Sequence, residues 1–254
     1  MNESTKDHTT DLAWEEWGRR DPYFGVITDP RYRRAAMTPA DLQGFFDSGH
    51  GHADYGLQII RRHIDPTFAP KAILDFGCGV GRLLIPFASL ARDVVGLDVS
   101  PAMLLEARRN CDQRGLHSVR LVASDDEFTS LTDTFDLIHS FIVFQHIPIE
   151  RGRAIFGRLL RHLRPGGVAA IHLTYSKTRF ATNFGARPFE PMMSAHEVRT
   201  TPPDADPEMQ MNPYNLNEIL FLMQTFKVRT FHVDFTDHGG ELGVFLFFQS
   251  PDTP

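Results

Sequence analysis

Cysteine is scarce in this sequence, and so is any excess of positive charge. The 254 residues include two cysteines, Cys78 and Cys111, which excludes a disulfide framework, and they lack the Cys-x-x-Cys spacing of a structural zinc site. Lysine and arginine number 26 against 32 aspartates and glutamates, which gives a net charge of −6. Because a nucleic-acid-binding surface usually needs a basic excess or stripe, we expect no nucleic acid among the partners.

Long apolar runs are also missing. A membrane-spanning helix needs about 18 or more consecutive apolar residues, whereas the longest apolar segments here are short, such as Phe141–Phe144. The first residues, Met1–Asp11, are polar with mixed charge and do not have the pattern of a signal peptide. We therefore expect no membrane association and a cytoplasmic location.

The composition is that of a chain with a full hydrophobic core. It is 42% hydrophobic and 23% charged, and its length allows one large domain or two small ones. We predict a disordered tail over residues 1–12, a helical cap over residues 13–70 and one large domain over residues 71–254.

Two helices are predicted within the cap. Thr38 followed by Pro39 is typical of a helix start, and we expect this first helix to end near Gly49 and Gly51. A second helix is predicted over Tyr55–Ile64, where apolar residues recur at three- and four-residue spacing.

From Lys71 onward, short apolar runs alternate with amphipathic stretches. Alternation of strands and helices predicts an α/β fold with a parallel sheet and helices on both faces. The predicted strands are 72–76, 94–97, 119–122, 135–140 and 168–174, and the predicted helices are 81–91, 101–114 and 151–163.

The end of the chain departs from this alternation. Residues 176–212 have no clear periodicity and are rich in Phe, Met and Pro; because so long an irregular segment is usually functional, we predict a lid. A helix is predicted over Leu216–Thr225, with Asn215 as its N-cap. The segments 228–235 and 243–249 are predicted to form a β-hairpin at the edge of the sheet.

The densest local signal is a glycine loop followed by an acid. The strand 73–76 leads into three alternate glycines, Gly77, Gly79 and Gly81, and then into a helix. Glycine permits positive φ and close approach of a ligand, and the helix N-terminus offers N–H groups to an anion. Asp98 ends the next strand, where a carboxylate can accept hydrogen bonds from both hydroxyls of a ribose. The pattern indicates a ligand with an adenosine-type ribose.

The spacing of the glycines separates two kinds of ligand. The dinucleotide fingerprint is G-x-G-x-x-G, whereas here the pattern is G-x-G-x-G with Asp75 two residues before the first glycine. A carboxylate beside the loop would repel a pyrophosphate but suits a ligand with an ammonium group. S-adenosylmethionine carries an amino-acid tail, a ribose and an adenine, and fits better than NAD.

On these residues the sequence strongly resembles the class I S-adenosylmethionine-dependent methyltransferases. Residues 74–81 match the first motif of that family at every position, and residues 98–103 match its second. Residues 135–138 and 163–167 match its fourth strand and the turn before its fifth. The resemblance is close over about residues 70–175. It implies a doubly wound, Rossmann-like sheet of seven strands in the order 3-2-1-4-5-7-6, with strand 7 antiparallel.

The resemblance also implies cofactor contacts, position by position. The residues expected to contact S-adenosylmethionine are Asp75, Phe76, Gly77, Cys78, Gly79, Arg82, Asp98, Val99, Met103, Asp125, Asp126, Ser140 and Phe141. In this assignment Asp98 takes the ribose, Val99 and Met103 enclose the adenine, and Asp125 or Asp126 reaches the adenine amino group. Arg82 either pairs with an acid or contacts the carboxylate of the cofactor.

Further side chains are candidates for catalysis and for binding the acceptor. His146 follows the fourth predicted strand and is a candidate general base, with a structural role as the alternative. Tyr175 ends the fifth predicted strand at the usual active-site face. Candidate substrate contacts, with core packing as the alternative, are Trp17, Tyr23, Phe184 and Phe189.

The expected reaction is methyl transfer to O, N or C of a small organic molecule. Because the sulfonium already activates the methyl group, in-line SN2 transfer mainly needs alignment and a dry site. The alternatives are a cyclase, lyase or decarboxylase that uses the sulfonium on the same fold, and a cofactor-binding protein without activity. We expect no metal site, and the sequence does not indicate an oligomeric state.

Overall fold

The computed structural model describes residues 9–178 and 206–251. Within these ranges, helices lie on both sides of one mixed sheet. The helices are α1 Thr9–Arg20, α2 Pro22–Val26, α3 Pro39–His63, α4 Leu84–Leu90, α5 Pro101–Asp112, α6 Ile149–Arg161 and α7 Leu216–Thr225. The strands are β1 Ala72–Phe76, β2 Asp93–Asp98, β3 Arg120–Ala123, β4 Phe135–Ser140, β5 Leu163–Lys177, β6 Phe231–Asp237 and β7 Glu241–Gln249.

The sheet has the predicted topology. Its strand order is β3-β2-β1-β4-β5-β7-β6, and β1 to β5 are parallel to one another. β7 is antiparallel to both of its neighbours, with Ile171 of β5 opposite Leu246. The predicted α/β class and strand order are thereby confirmed. The carboxyl ends of the parallel strands meet at one edge, together with the tip of the β6–β7 hairpin.

Each face of the sheet carries its own hydrophobic cluster. Successive side chains of a strand point to opposite faces, so Ile73 packs with residues from α1 and α3–α5, while Leu74 packs with residues from α6 and α7. Because both faces are covered, every residue of β1 is buried and the strand is a continuous apolar run apart from Asp75. Trp17 and Phe45 of the N-terminal helices belong to the first cluster, so these helices share a core with the sheet.

The prediction of two helices between Thr38 and Ile64 was wrong, because α3 is one helix of 25 residues. Thr38 caps it as predicted, and its side chain accepts from the Asp41 backbone N–H. Gly49 lies in the helix interior, where an added Cβ would stand 2.2 Å from the carbonyl oxygen of Arg82. The glycine therefore serves close packing of α3 against the loop after β1, and does not end the helix.

The N-terminal boundary also differs from the expectation. α1 begins at Thr9, within the segment predicted as a disordered tail over residues 1–12. Thr10 donates its hydroxyl to the carbonyl of His146 at 2.8 Å, and Arg151 lies 2.6 Å from the Asp11 carboxylate. These tertiary contacts hold a polar segment in place, and a local sequence pattern does not reveal them. Residues 1–8 lie outside the described ranges.

The predicted lid overlaps β5. The strand runs to Lys177 rather than ending at Thr174, because its pairing with β7 continues past a bulge between Thr174 and Ser176. Residues 206–212 are irregular, as predicted. The rest of the predicted lid, residues 179–205, lies outside the described residues. No helix in the part of the chain described is long and apolar enough to span a membrane.

Candidate active site

A first cavity lies at the carboxyl edge of the parallel strands, under α1. The loop after β1 contributes Phe76, Gly77 and Gly79 to its wall, and the end of β2 contributes Asp98 and Val99. Further wall residues, from α5 and from the loops after β3 and β4, are Met103, Ser124, Asp126 and Phe141. Its roof consists of Thr10, Asp11 and Trp14 of α1.

The loop after β1 needs its glycines. Gly77, Gly79 and Gly81 have φ values of 75°, 52° and 86°, which side-chain-bearing residues rarely adopt. An added Cβ at Gly77 would stand 2.3 Å from a methyl carbon of Val143, and one at Gly79 would stand 2.8 Å from Val26. The bare backbone therefore keeps the floor of the cavity open.

Asp98 is held by backbone N–H groups at the end of β2. Its Oδ2 accepts from Gly79 at 2.8 Å, and its Oδ1 accepts from Ser100 at 2.9 Å. The side chain is buried, and this burial raises the pKa of its carboxyl group to about 6. A carboxylate oxygen has two acceptor positions, so each oxygen retains the capacity for one further hydrogen bond from a ligand.

Asp75 is tied to two histidines below the glycine loop. Its Oδ1 lies 2.9 Å from Nδ1 of His139, and Nε2 of His139 lies 3.0 Å from Nε2 of His52. Burial and then the neighbouring His139 lower the pKa of His52 to about 2, so His52 is neutral. The three side chains thus form one chain of hydrogen bonds, which orients the Asp75 carboxylate.

A second cavity adjoins the first, and Gly77, Phe141 and His146 contribute to both. Asp75, Cys78 and Arg82 line the side of the second cavity near the glycine loop. Its other walls come from Gln145, Met209 and Met211, and from His238 and Glu241 of the β6–β7 hairpin. The two cavities thus lie side by side between β2 and the hairpin.

Arg82 is a cation without an anionic partner among the described residues. Its Nη1 lies 3.3 Å from the Ser48 hydroxyl, and its Nε is buried without a hydrogen-bond partner. Burial lowers the pKa of its guanidinium from the ordinary value. Of the two alternatives for Arg82, the structure does not show pairing with an acid, and the side chain lines the second cavity.

The segment around the glycine loop matches a known family. A family model described as a methyltransferase domain matches residues 73–167, which contain β1 to β4 and the start of β5. The strand order above is that of the class I members. The chain carries a class I S-adenosylmethionine-dependent methyltransferase domain.

Curated relatives of this methyltransferase domain have names that refer to the methylation of small molecules. A ubiquinone biosynthesis O-methyltransferase of Paramagnetospirillum magneticum is 30% identical over 148 residues, covering 54% of this chain and 58% of that one. A trans-aconitate 2-methyltransferase of an Acidovorax species is 34% identical over 126 residues, covering 48% and 45%. The match thus spans about half the length of each relative.

A solved structure extends the likeness to the whole fold. Magnesium protoporphyrin IX methyltransferase from Synechocystis, with bound S-adenosylhomocysteine, has a TM-score of 0.61. The similarity covers 97% of this chain and 98% of the other, at 16% sequence identity. At that identity the comparison shows the fold alone.

Most residues predicted to contact the cofactor line one of the two cavities. In the first cavity are Phe76, Gly77, Gly79, Asp98, Val99, Met103, Asp126 and Phe141, and in the second are Asp75, Cys78 and Arg82. Asp125 and Ser140 are not among the described lining residues. Asp125 is exposed and accepts from the backbone N–H of Thr129 at 3.0 Å, while Ser140 is buried in β4.

The two predicted catalytic residues lie in different surroundings. His146 lines both cavities, and its Nδ1 lies 2.8 Å from the carbonyl oxygen of Gln210. Burial lowers the pKa of His146 to about 4. Tyr175 stands at the bulge of β5 and packs on the cluster formed with α6 and α7, so it is not among the described residues that line the cavities.

Of the aromatic residues predicted to contact the substrate, the two that the structure describes do not line either cavity. Trp17 is buried next to Phe24. The hydroxyl of Tyr23 lies 2.8 Å from a carboxylate oxygen of Glu106 on α5. Both side chains thus belong to the packing of the N-terminal helices. Phe184 and Phe189 lie outside the described residues.

Sequence reasoning missed several residues of the site. Arg151 of α6 bonds both Asp11 and Asp126, at 2.6 and 2.8 Å, and so ties the roof of the first cavity to its wall. His238 and Glu241 reach the second cavity from the hairpin. Their sequence neighbours give no signal, because every one of these contacts depends on the folded topology.

Proposed function

We propose that this chain is an S-adenosylmethionine-dependent methyltransferase whose acceptor is a small organic molecule. The observation that carries the proposal is the position of Asp98, a buried carboxylate with spare acceptor capacity, at the end of β2 and against Gly79 of the glycine loop. The residues present fit the cofactor: a carboxylate faces the first cavity, and the glycine loop leaves space that a Cβ would fill. When bound, S-adenosylmethionine supplies an activated methyl group.

In the proposal, different side chains of the protein bind different parts of the cofactor. Asp98 accepts hydrogen bonds from the ribose, and Val99 and Met103 pack on the adenine. Asp75, whose carboxylate is oriented by His139, takes the ammonium group, and Arg82 takes the carboxylate. Because this half-buried guanidinium makes no ion pair among the described residues, a carboxylate from a ligand suits it as a counter-ion.

Alignment and exclusion of water are the main tasks left to the protein. The roof of α1 is held by the Arg151 contacts and by the Thr10 hydroxyl, and it screens the first cavity from solvent. In this proposal His146 positions the wall between the two cavities, through its bond to Gln210. Its role as a general base and the role of Tyr175 stay predictions.

The names of the relatives and the charge of the chain support a small acceptor. The matched proteins are named for ubiquinone precursors and trans-aconitate. The net charge of −6 favours neither RNA nor DNA as a substrate.

The test incubates the purified protein with methyl-labelled S-adenosylmethionine and a panel of hydroxyl- and amino-bearing small molecules. The proposal predicts S-adenosylhomocysteine and a labelled acceptor in equal amounts. Methylthioadenosine as product would instead indicate a lyase or cyclase on the same fold. Tight binding of S-adenosylhomocysteine without turnover of any acceptor would indicate a binding protein.

A further inference from the structure

The β6–β7 hairpin brings polar groups to the second cavity that the cofactor does not require. Glu241 and His238 both line that cavity. β7 is three strands away from β1 in the sheet order, and neighbouring strands lie about 4.8 Å apart, which places β7 roughly 14 Å from β1. Asp75 belongs to β1 and the glycine loop follows that strand, so the hairpin groups are on a different side of the second cavity.

Only one of the two carboxylate oxygens of Glu241 has a partner among the described residues. Its Oε1 lies 3.4 Å from Nζ of Lys177, a buried ammonium at the end of β5, and its side chain is 12% exposed. The other oxygen, Oε2, is buried and has no hydrogen-bond partner. Buried polar atoms in folded proteins are nearly always hydrogen-bonded, so Oε2 is an acceptor awaiting a donor.

The backbone N–H of His238 donates to the backbone carbonyl of Glu241 at 3.1 Å, and its side chain is exposed to solvent. Its ring packs edge-on against Phe141 at 5.8 Å and lies 5.3 Å from the ring of His172. Partial burial lowers the pKa of His238, so the ring is neutral at neutral pH. A neutral imidazole has one unprotonated nitrogen that can accept a proton.

Two neighbouring polar side chains, Gln145 and His172, have partners within the protein. Gln145 accepts from the Thr174 hydroxyl at 2.7 Å and donates towards the sulfur of Met211. His172 lies 2.8 Å from the Thr236 hydroxyl. Phe141, Ile142, Met209 and Met211 add apolar surface to this cavity, whereas Asp75 and Arg82 are on its glycine-loop side. The hairpin thus offers acceptor atoms in a cavity that also has an apolar surface.

We infer that Glu241 and His238 form the binding site for the methyl acceptor, and that this acceptor is an apolar compound bearing a hydroxyl or amino group. The inference rests on the proposed function, and it adds the chemical class of the acceptor. Glu241 accepts the O–H or N–H hydrogen bond through Oε2. An acceptor presenting a carboxylate to the hairpin would face a second carboxylate and is disfavoured.

The same arrangement gives the released proton a destination. The oxygen or nitrogen of the acceptor forms its bond to the methyl carbon, and the carbon–sulfur electron pair stays on sulfur. The proton of the acceptor, which is hydrogen-bonded to Oε2 of Glu241, passes to that carboxylate, and the neutral ring of His238 then takes it up and releases it to solvent.

The test measures binding, so that it does not depend on knowing the acceptor. The dissociation constants of four matched probes, 4-propylphenol, 4-propylaniline, propylbenzene and 4-propylbenzoate, are measured by ligand-observed NMR on protein saturated with S-adenosylhomocysteine. We expect the phenol and the aniline to bind about tenfold tighter than propylbenzene, because each fills the vacant acceptor atom. The benzoate is expected to bind more weakly than the phenol.

Variants assign the preference to the hairpin. Glu241→Gln and His238→Phe are each expected to reduce the affinity for 4-propylphenol about fivefold or more, with propylbenzene unchanged within about twofold. His232→Gln is the control, since His232 is on the same hairpin but stacks on His63 outside the cavities. If Glu241→Gln does not fold, as judged by thermal unfolding, His238→Phe alone decides.

Several results would overturn the inference. They are no binding of any probe, no advantage of the phenol over propylbenzene, tightest binding of the benzoate, or hairpin variants that keep the advantage of the phenol. Binding of S-adenosylhomocysteine is measured first. Its failure counts against the proposed function, and the probes are then measured on the unliganded protein, so the two failures are distinguishable.

Discussion

Single residues divide into those that local sequence reveals and those that only the fold brings to the site. Asp98 and Gly77 are predictable because the strand, the glycine spacing and the next strand end are consecutive in the chain. Arg151 and Glu241 are not, since their partners are distant in sequence. The predictable residues line the cavity proposed for the cofactor. Of the two that were missed, Arg151 holds the roof of that cavity and Glu241 lines the site proposed for the methyl acceptor.

The buried carboxyl of Asp98 predicts a pH dependence of stability. Burial raises its pKa to about 6 in the folded protein, against 3.8 ordinarily. Its stabilising contribution is therefore complete below about pH 4 and is lost as pH rises through 6, because ionisation is less favourable in the fold.

The measurement is urea unfolding of the unliganded protein and of Asp98→Asn between pH 4 and 7.5. We expect the wild type to lose about 1–3 kcal/mol relative to the variant across that range. A constant difference between the two proteins would show that Asp98 titrates at its ordinary pKa.

At the scale of elements, tertiary packing decided where local propensity failed. The positions of the strands, and of the helices that cover the sheet, followed from the alternation of apolar and amphipathic segments. The strand order followed from the resemblance to the class I family. The length of α3 did not, because Gly49, a residue type that often ends a helix, serves there for close approach to the loop after β1. The start of α1 was misplaced for a related reason, since its polar residues are held by partners on α6 and after β4.

Two glycines of α3 predict opposite effects of the same substitution. Gly49→Ala places a methyl group against the carbonyl of Arg82, whereas nothing lies within 4 Å of a Cβ at Gly51. We expect Gly51→Ala to raise the free energy of unfolding by up to about 1 kcal/mol, as alanine favours helix. Gly49→Ala should lower it by about 1–3 kcal/mol, measured by urea unfolding. Equal effects at the two positions would contradict the packing described.

Arg151 predicts a structural link between α6 and the roof. Arg151→Met leaves the carboxylates of Asp11 and Asp126 without their shared cation, and breaking such a buried pair costs about 3–5 kcal/mol. We expect faster amide hydrogen exchange over residues 9–20 and faster release of S-adenosylhomocysteine.

A matched substitution lies on the same helix. Arg153 pairs with Glu218 and Glu150 in solvent, where screening limits such pairs to under about 1 kcal/mol. Arg153→Met should therefore leave exchange in α1 and ligand release unchanged. If the two variants behave alike, α1 is not held by Arg151.

The whole molecule joins two cavities over one sheet, with the N-terminal helices closing the first. This arrangement follows from the order of the strands, which brings the ends of β1, β2 and β4 and the tip of the β6–β7 hairpin to one edge. The class of fold was predictable because four motifs lie along the chain in the order of the family. The part of the second cavity that we propose to bind the methyl acceptor was not predictable, because it combines segments from both termini and the middle of the sequence.

The central claim is that the first cavity binds an S-adenosyl ligand through Asp98. Calorimetric titration of S-adenosylhomocysteine into the wild type and into Asp98→Ala, with NADH as the competitor, tests it most directly. We predict one-to-one binding to the wild type, binding weaker by about tenfold or more to the variant because a charged acceptor is lost, and no competition from NADH. Tight binding of NADH with S-adenosylhomocysteine ignored, or equal affinity of the two proteins for S-adenosylhomocysteine, would contradict it.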